Sequence, residues 1–149
     1  MAKISFLWVG KTKEPWIKNG IEIYLKKIKH FVKIDVHTLK DTKRDGRSRE
    51  ASIVDAIPRD SFCVILDERG RSFNSEAFSK FISQRLTQPP NHIVFLLGGP
   101  YGLSPATKDK GDFILSLSPM TFTHEMARVI LLEQVYRALT IEKGLPYHH

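Results

Sequence analysis

The 149-residue sequence predicts an α/β fold, a mainly parallel sheet flanked by helices, and three observations carry that reading. Apolar runs of strand length recur along the chain. Most are continuous, as strands buried on both faces should be. Segments with helical periodicity lie between several of them. In chain order the expected strands are ISFLWV (4–9), VKIDV (32–36), FCVIL (62–66), IVFLL (93–97) and FILSL (113–117). Only VKIDV alternates, which suits a half-exposed edge.

After the first strand, Ile17, Ile21, Tyr24, Leu25 and Ile28 fall on one face of a helix, which Gly20 interrupts at a cost of about 1 kcal/mol. After the third, Asn74 or Ser75 can cap a helix carrying Phe78, Phe81 and Ile82. KDTKRDGRSRE (40–50) is the one polar stretch and is expected to be mobile. In the last helix Met126, Val129, Ile130, Leu131, Leu132, Val135, Leu139 and Ile141 occupy all sides, among Arg128, Glu133, Gln134 and Arg137. Such a helix is central to its own domain or also packs on a second copy; the favoured reading is a homodimer with Leu132 in its seam. Arg128 is expected to pair with Glu125, three residues away.

The length suits one domain, residues 1–149. No apolar run reaches the roughly 20 residues of a membrane span, and the opening MAKISFLWVGKTKE is a poor secretory signal. The single Cys63 reads as a small core residue. These features favour the cytoplasm. The formal charge of +7 is segregated: residues 1–50 hold 13 Lys or Arg against 6 acids, and the remainder holds 10 against 10. That asymmetry favours a nucleic-acid partner, with Lys26, Lys27 and Lys29 the first candidates for the contact.

Several motifs are negative. Gly10-Lys11-Thr12 follows a strand as a phosphate loop would, but Ser5 stands where the earlier glycine is required. No G-x-G-x-x-G follows any strand, so the ordinary dinucleotide site is not expected. The scattered His30, His37, His92 and His124 offer no metal-binding spacing, and no metal site is expected. More suggestive are three strand exits: Asp67-Glu68-Arg69-Gly70, Gly98-Gly99-Pro100-Tyr101-Gly102 and Ser118-Pro119-Met120-Thr121. On parallel neighbours these line one crevice.

The blocks GKTKEPWIKNGIEIYLKKI, LDERGRSFNSEAFS and FLLGGPYGLS, together with the closing stretch through EQVYRA to PYH, resemble the ribosomal RNA large subunit methyltransferase H family of the SPOUT superfamily. The likeness runs from residue 3 to the end. It implies a C-terminal trefoil knot, a homodimer, and S-adenosylmethionine-dependent methylation of N3 of a pseudouridine in the helix 69 loop of 23S rRNA, within the ribosome or large subunit. By that resemblance Leu66, Gly98, Leu117, Ser118, Pro119, Met120, Thr121 and Phe122 contact the cofactor. Tyr147, His148 and His124 are the candidates for orienting the base, His124 ranked below the other two, and Arg137 is the candidate for holding phosphate or the base's carbonyls. Two departures stand out: the segment between the second and third strands is shorter than in many members, leaving RSREASIVDAI (47–57) as one brief helix, and His149 stands where many members have Lys or Arg. A non-catalytic ribosome-binding protein and a methyltransferase for another RNA, such as tRNA, are the alternatives.

Overall fold

The computed structural model describes residues 1–40 and 52–149. Its sheet comprises β1 (Lys3–Val9), β2 (Lys33–Leu39), β3 (Phe62–Arg71), β4 (His92–Leu97) and β5 (Phe113–Leu115), ordered β2-β1-β4-β3-β5. Every pairing is parallel. The alternating segment is an edge strand, as its pattern requires, and the continuous apolar runs of β1 and β4 lie inside. FILSL is a strand only through Leu115. There the Ser116 N–H donates to the Arg71 carbonyl at 2.9 Å, and the Ser116 hydroxyl donates to the Ser118 carbonyl at 3.0 Å, which turns the chain out of the ladder.

The helices are α1 (Pro15–Ile28), α2 (Ser75–Thr87), the short α3 (Pro105–Lys108) and α4 (His124–Glu142). Asn74 caps α2, its side chain accepting from the Ala77 N–H at 2.8 Å. Residues 52–56 are helical, in keeping with the second half of the expected 47–57 helix; its first half, and nearly all of the polar stretch 40–50, lie outside the described residues. One face of the sheet buries Ile4, Phe6, Val64 and Phe95 against α1, α2 and α4. The other buries Leu7, Val9, Ile65, Val94 and Leu96 against Ile53.

α4 is enclosed more fully by its own chain than its sequence suggests. Leu131, Leu132 and Val135 are 0% exposed in a single copy. Leu132 therefore belongs to the core, and the expectation that places it in a seam between copies is corrected. The cover comes from α1 and α2: the Ser79 hydroxyl donates to the Ala138 carbonyl at 2.6 Å, and a Cβ at Gly20 would sit 3.6 Å from Val129. Gly20 does not break α1, because tertiary packing offsets its propensity cost.

Candidate functional site

The exits of β3, β4 and β5 and the first turn of α4 enclose a cleft of about 490 Å³. This is the size of a small-molecule site, at the carboxyl ends of parallel strands where α/β sheets bind ligands. Leu66, Gly98, Leu117, Ser118, Met120, Thr121 and Phe122 all line it. Pro119 does not: it is exposed between Ser118 and Met120, in a turn closed by the Met120 N–H donating to Ser118 Oγ at 3.0 Å. Gly98 admits no side chain, since a Cβ there would lie 2.9 Å from the Gly102 carbonyl carbon. Gly102, at φ +68°, bonds back through its N–H to the Gly99 carbonyl at 3.0 Å. The glycines thus bring bare backbone to the cleft wall.

Polar side chains complete the rim. Lys108 Nζ lies 2.5 Å from Asp67 Oδ2, and the Thr121 hydroxyl donates to Glu68. Hydrogen bonding to Lys108, then to the Arg69 N–H, holds the Asp67 carboxyl below its ordinary range. His124, the lower-ranked candidate, also lines the cleft. Nothing in the sequence singles out Lys108; only the short α3 carries it to the cleft.

Beside the cleft, α4 grips the loop that follows β1. Glu125 Oε1 accepts the backbone N–H groups of both Lys13 and Glu14 at 3.0 Å. Arg128, 0% exposed, donates to Thr12 Oγ1 and to the Val9 carbonyl, each at 2.8 Å, with its guanidinium 5.2 Å from the Trp8 ring. The expected Glu125–Arg128 pair is replaced by two separate grips on the loop, whose unpaired backbone groups compete successfully for both charges. Burial lowers the Arg128 pKa to about 10, which leaves it charged at neutral pH.

At the other end of α4 the chain turns sharply. Gly144 (φ +70°) donates its N–H to Ile141 and Leu145 donates to Thr140, at 3.0 and 2.9 Å, the paired bonds of a Schellman motif. Tyr147 then donates its hydroxyl to Glu133 Oε2 at 2.7 Å and packs edge-on against Tyr136. Arg137 bonds Glu133 Oε2 and His148 Nδ1, each at 2.9 Å, and His148 Nε2 lies 3.0 Å from Glu76 Oε1. A guanidinium only donates, so Nδ1 accepts and the proton sits on Nε2, facing Glu76. Burial, then the bond to Glu133, pushes the Tyr147 phenol up, so it remains protonated.

Arg137, Tyr147 and His148 therefore form one cluster, yet none lines the cleft. Arg137 is 13 residues beyond His124, or about 20 Å along the helix. His148 instead borders a second cavity, about 470 Å³, which shares Leu117 with the first.

A ligand cleft at the strand ends, walled by backbone-rich loops, defines an α/β small-molecule-binding enzyme class without naming its reaction. The chain belongs to the SPOUT methyltransferase family, whose model, described as predicted SPOUT methyltransferase, matches residues 2–148. It is therefore a methyltransferase. Among curated proteins it is similar to the ribosomal RNA large subunit methyltransferase H of Trichlorobacter lovleyi, at 40% identity over 99% of both chains. The protein of the same name from Halothermothrix orenii is 40% identical over 98% of this chain and 99% of that one, and that of Christiangramia forsetii 36% over 98% of each. Among solved structures, a probable methylase family protein from Haemophilus influenzae Rd KW20 has a similar fold, with a TM-score of 0.60 and 10% identity over 98% of this chain and 70% of that one.

Proposed function

We propose that this protein transfers a methyl group from S-adenosylmethionine to N3 of a pseudouridine in 23S rRNA, acting in the cytoplasm as a homodimer whose strand-exit region is knotted. The observation that carries the reading is the cleft itself, lined by seven of the eight residues assigned to the cofactor. Its chemistry fits that ligand. Leu66, Leu117, Met120 and Phe122 offer apolar and polarizable contact for a purine, Gly98 lets backbone approach closely, and Glu68 adds one negative charge beyond the Asp67–Lys108 pair towards a cationic ligand. When bound, S-adenosylmethionine supplies a methyl group activated by its sulfonium.

What remains for the protein is to orient the base and manage the N3 proton. Tyr147 is not a base in this role, because its phenol stays protonated; its one proton is held by Glu133 in the single chain and reaches the substrate by exchanging that bond. Arg137 fixes the tautomer of His148 and offers positive charge to carbonyl or phosphate oxygens. A cluster outside the cleft of its own chain, with Arg137 about 20 Å along α4 from His124, serves the reaction through a two-fold pair, in which α4 of one copy runs against α4 of the other. The half-exposed Met126, Val129 and Ile130, with the exposed Trp16 and Ile23 of α1, give that pair an apolar surface. The tight approach of β3 and β5, where a Cβ at Gly70 would fall 2.6 Å from the Ile114 carbonyl oxygen, suits a knotted crossing.

Incubation with methyl-labelled S-adenosylmethionine and large subunits, intact ribosomes or tRNA tests the activity. Label at N3 of a 23S pseudouridine is expected. Label confined to tRNA, or ribosome binding without label, would overturn the assignment.

A further inference from the structure

The loop Gly10-Lys11-Thr12-Lys13-Glu14 has the outward form of a phosphate loop, but three of its five backbone N–H groups are already committed. The N–H groups of Lys13 and Glu14, which open α1 and would otherwise meet an anionic ligand, are taken by Glu125. The Gly10 N–H donates to the Leu39 carbonyl at 2.7 Å, and Thr12 Oγ1 receives Arg128. A buried arginine and a buried glutamate are thus committed to fixing five residues at the surface. Arg128 Nε is left buried without a hydrogen-bond partner, a cost the fold tolerates to hold the loop.

Two side chains escape this clamp. Lys11 and Lys13 are exposed, and neither makes an ion pair among the described residues. Their position is set by the sheet. β1 and β4 are neighbours in register, Trp8 opposite Leu97, so the loop leaving β1 emerges beside Leu97 and Gly98 of the cleft wall. Glu125 and Arg128, which grip the loop, alternate along α4 with His124 and Ala127, which line the cleft. Lys26, Lys27 and Lys29 are elsewhere. α1 runs parallel to α4, with Glu14 at Glu125, Gly20 at Val129 and Tyr24 near Tyr136, so these lysines lie at the end remote from the cleft of their own chain, beside the Tyr147 cluster.

We infer that Lys11 and Lys13 form a phosphate clamp for the RNA backbone flanking the target nucleotide, setting the register of the substrate over the cofactor cleft. The inference rests on the RNA-methyltransferase reading above and adds to it where the RNA runs. Phosphate contacts from a rigid loop fix position without reading sequence. Two lysines suit this task as point charges, since each neutralised phosphate releases counterion and steepens the salt dependence of binding.

Steady-state methylation of large subunits, measured over a range of salt concentrations, tests the clamp with Lys11→Ala/Lys13→Ala against the unaltered protein. The double variant is expected to raise KM for RNA roughly tenfold at moderate salt and to flatten the log–log salt slope by about two, one for each phosphate no longer neutralised. Affinity for S-adenosylmethionine, sedimentation and thermal unfolding should stay as they were, and Lys11→Arg/Lys13→Arg should recover most of the loss. An unchanged KM and salt slope would overturn the clamp, as would a variant that became monomeric, which would make the loop a contact between copies. An equal loss from Lys33→Ala/Lys80→Ala, which removes the same charge elsewhere, would reduce the effect to net charge and overturn it too. Failure of the unaltered protein to methylate any RNA would instead remove the underlying reading.

Discussion

The two ends of α4 are held by opposite means. At the first turn, buried charges reach outward: Glu125 and Arg128 leave the helix to secure the loop after β1, beside a cleft walled by backbone. At the last turn the direction reverses, and Tyr147 and His148 return to bond Glu133 and Arg137 on the outside of the helix, with His148 also meeting Glu76 of α2. The first arrangement builds a rigid frame for a small ligand. The second presents a layer of ring-bearing polar groups that the remaining fold does not need for its core. The difference separates the requirements of cofactor binding from those of base positioning.

The largest effect is expected midway between the two ends of α4. Leu132→Asp puts a carboxylate among fully buried neighbours and should cost roughly 3 kcal/mol or more. Circular dichroism should record loss of the fold in any oligomeric state. A folded, monomeric variant would restore Leu132 to a seam between copies.

Deleting Tyr147, His148 and His149 should lower single-turnover methyl transfer by about a hundredfold or more while leaving the fold and S-adenosylmethionine affinity nearly intact. A rate within a few fold of the full chain would make the docked tail purely structural.

At the other end, Glu125→Ala frees two amides and removes a carboxylate whose charge favours the Arg128 cation, and should destabilise by about 1–3 kcal/mol in chemical unfolding. The milder Glu125→Gln brings a pH signature. Burial disfavours the Glu125 carboxylate, but the amides of Glu14 and Lys13 outweigh it and hold its pKa below the ordinary 4.5. Its ionic contribution is therefore complete above pH 4.5 and is lost as pH falls through the lowered folded value. The stability gap between the native protein and Glu125→Gln should be constant near neutrality and shrink on acidification below that point. A gap independent of pH would mean the charge is immaterial.

The smallest effect belongs to Tyr147→Phe, which keeps the ring on Tyr136 and loses one hydrogen bond, about 1 kcal/mol in thermal unfolding. If its loss of methyl transfer is far greater than this, the hydroxyl serves the substrate; a loss no larger confines it to docking the tail.

Much of the fold was legible because burial on both faces writes itself as a continuous apolar run. The interior strands β1, β3 and β4, the edge position of β2 and the Asn74 cap all follow from local pattern. The strand-exit residues of the cleft were legible only together: each turn alone reads as an ordinary turn, but three exits on parallel neighbours share one crevice, and the family blocks narrowed them to named positions. Residues that work across long sequence separations were not. Arg128 reads locally as the partner of Glu125, three positions away, yet it bonds Thr12 and Val9, more than 110 positions distant. Lys108 gives no local sign of its place beside Asp67. The all-round apolar pattern of α4 demanded cover, but composition cannot say whose surface provides it; α1 and α2 supply it for Leu132 within one chain. By itself the sequence determined which segments must be buried and where the chain must turn, because those depend on neighbours a few residues away. Tertiary structure alone decided which charges meet, because unpaired backbone groups at a strand exit compete for them only once the sheet has brought the exit alongside the helix.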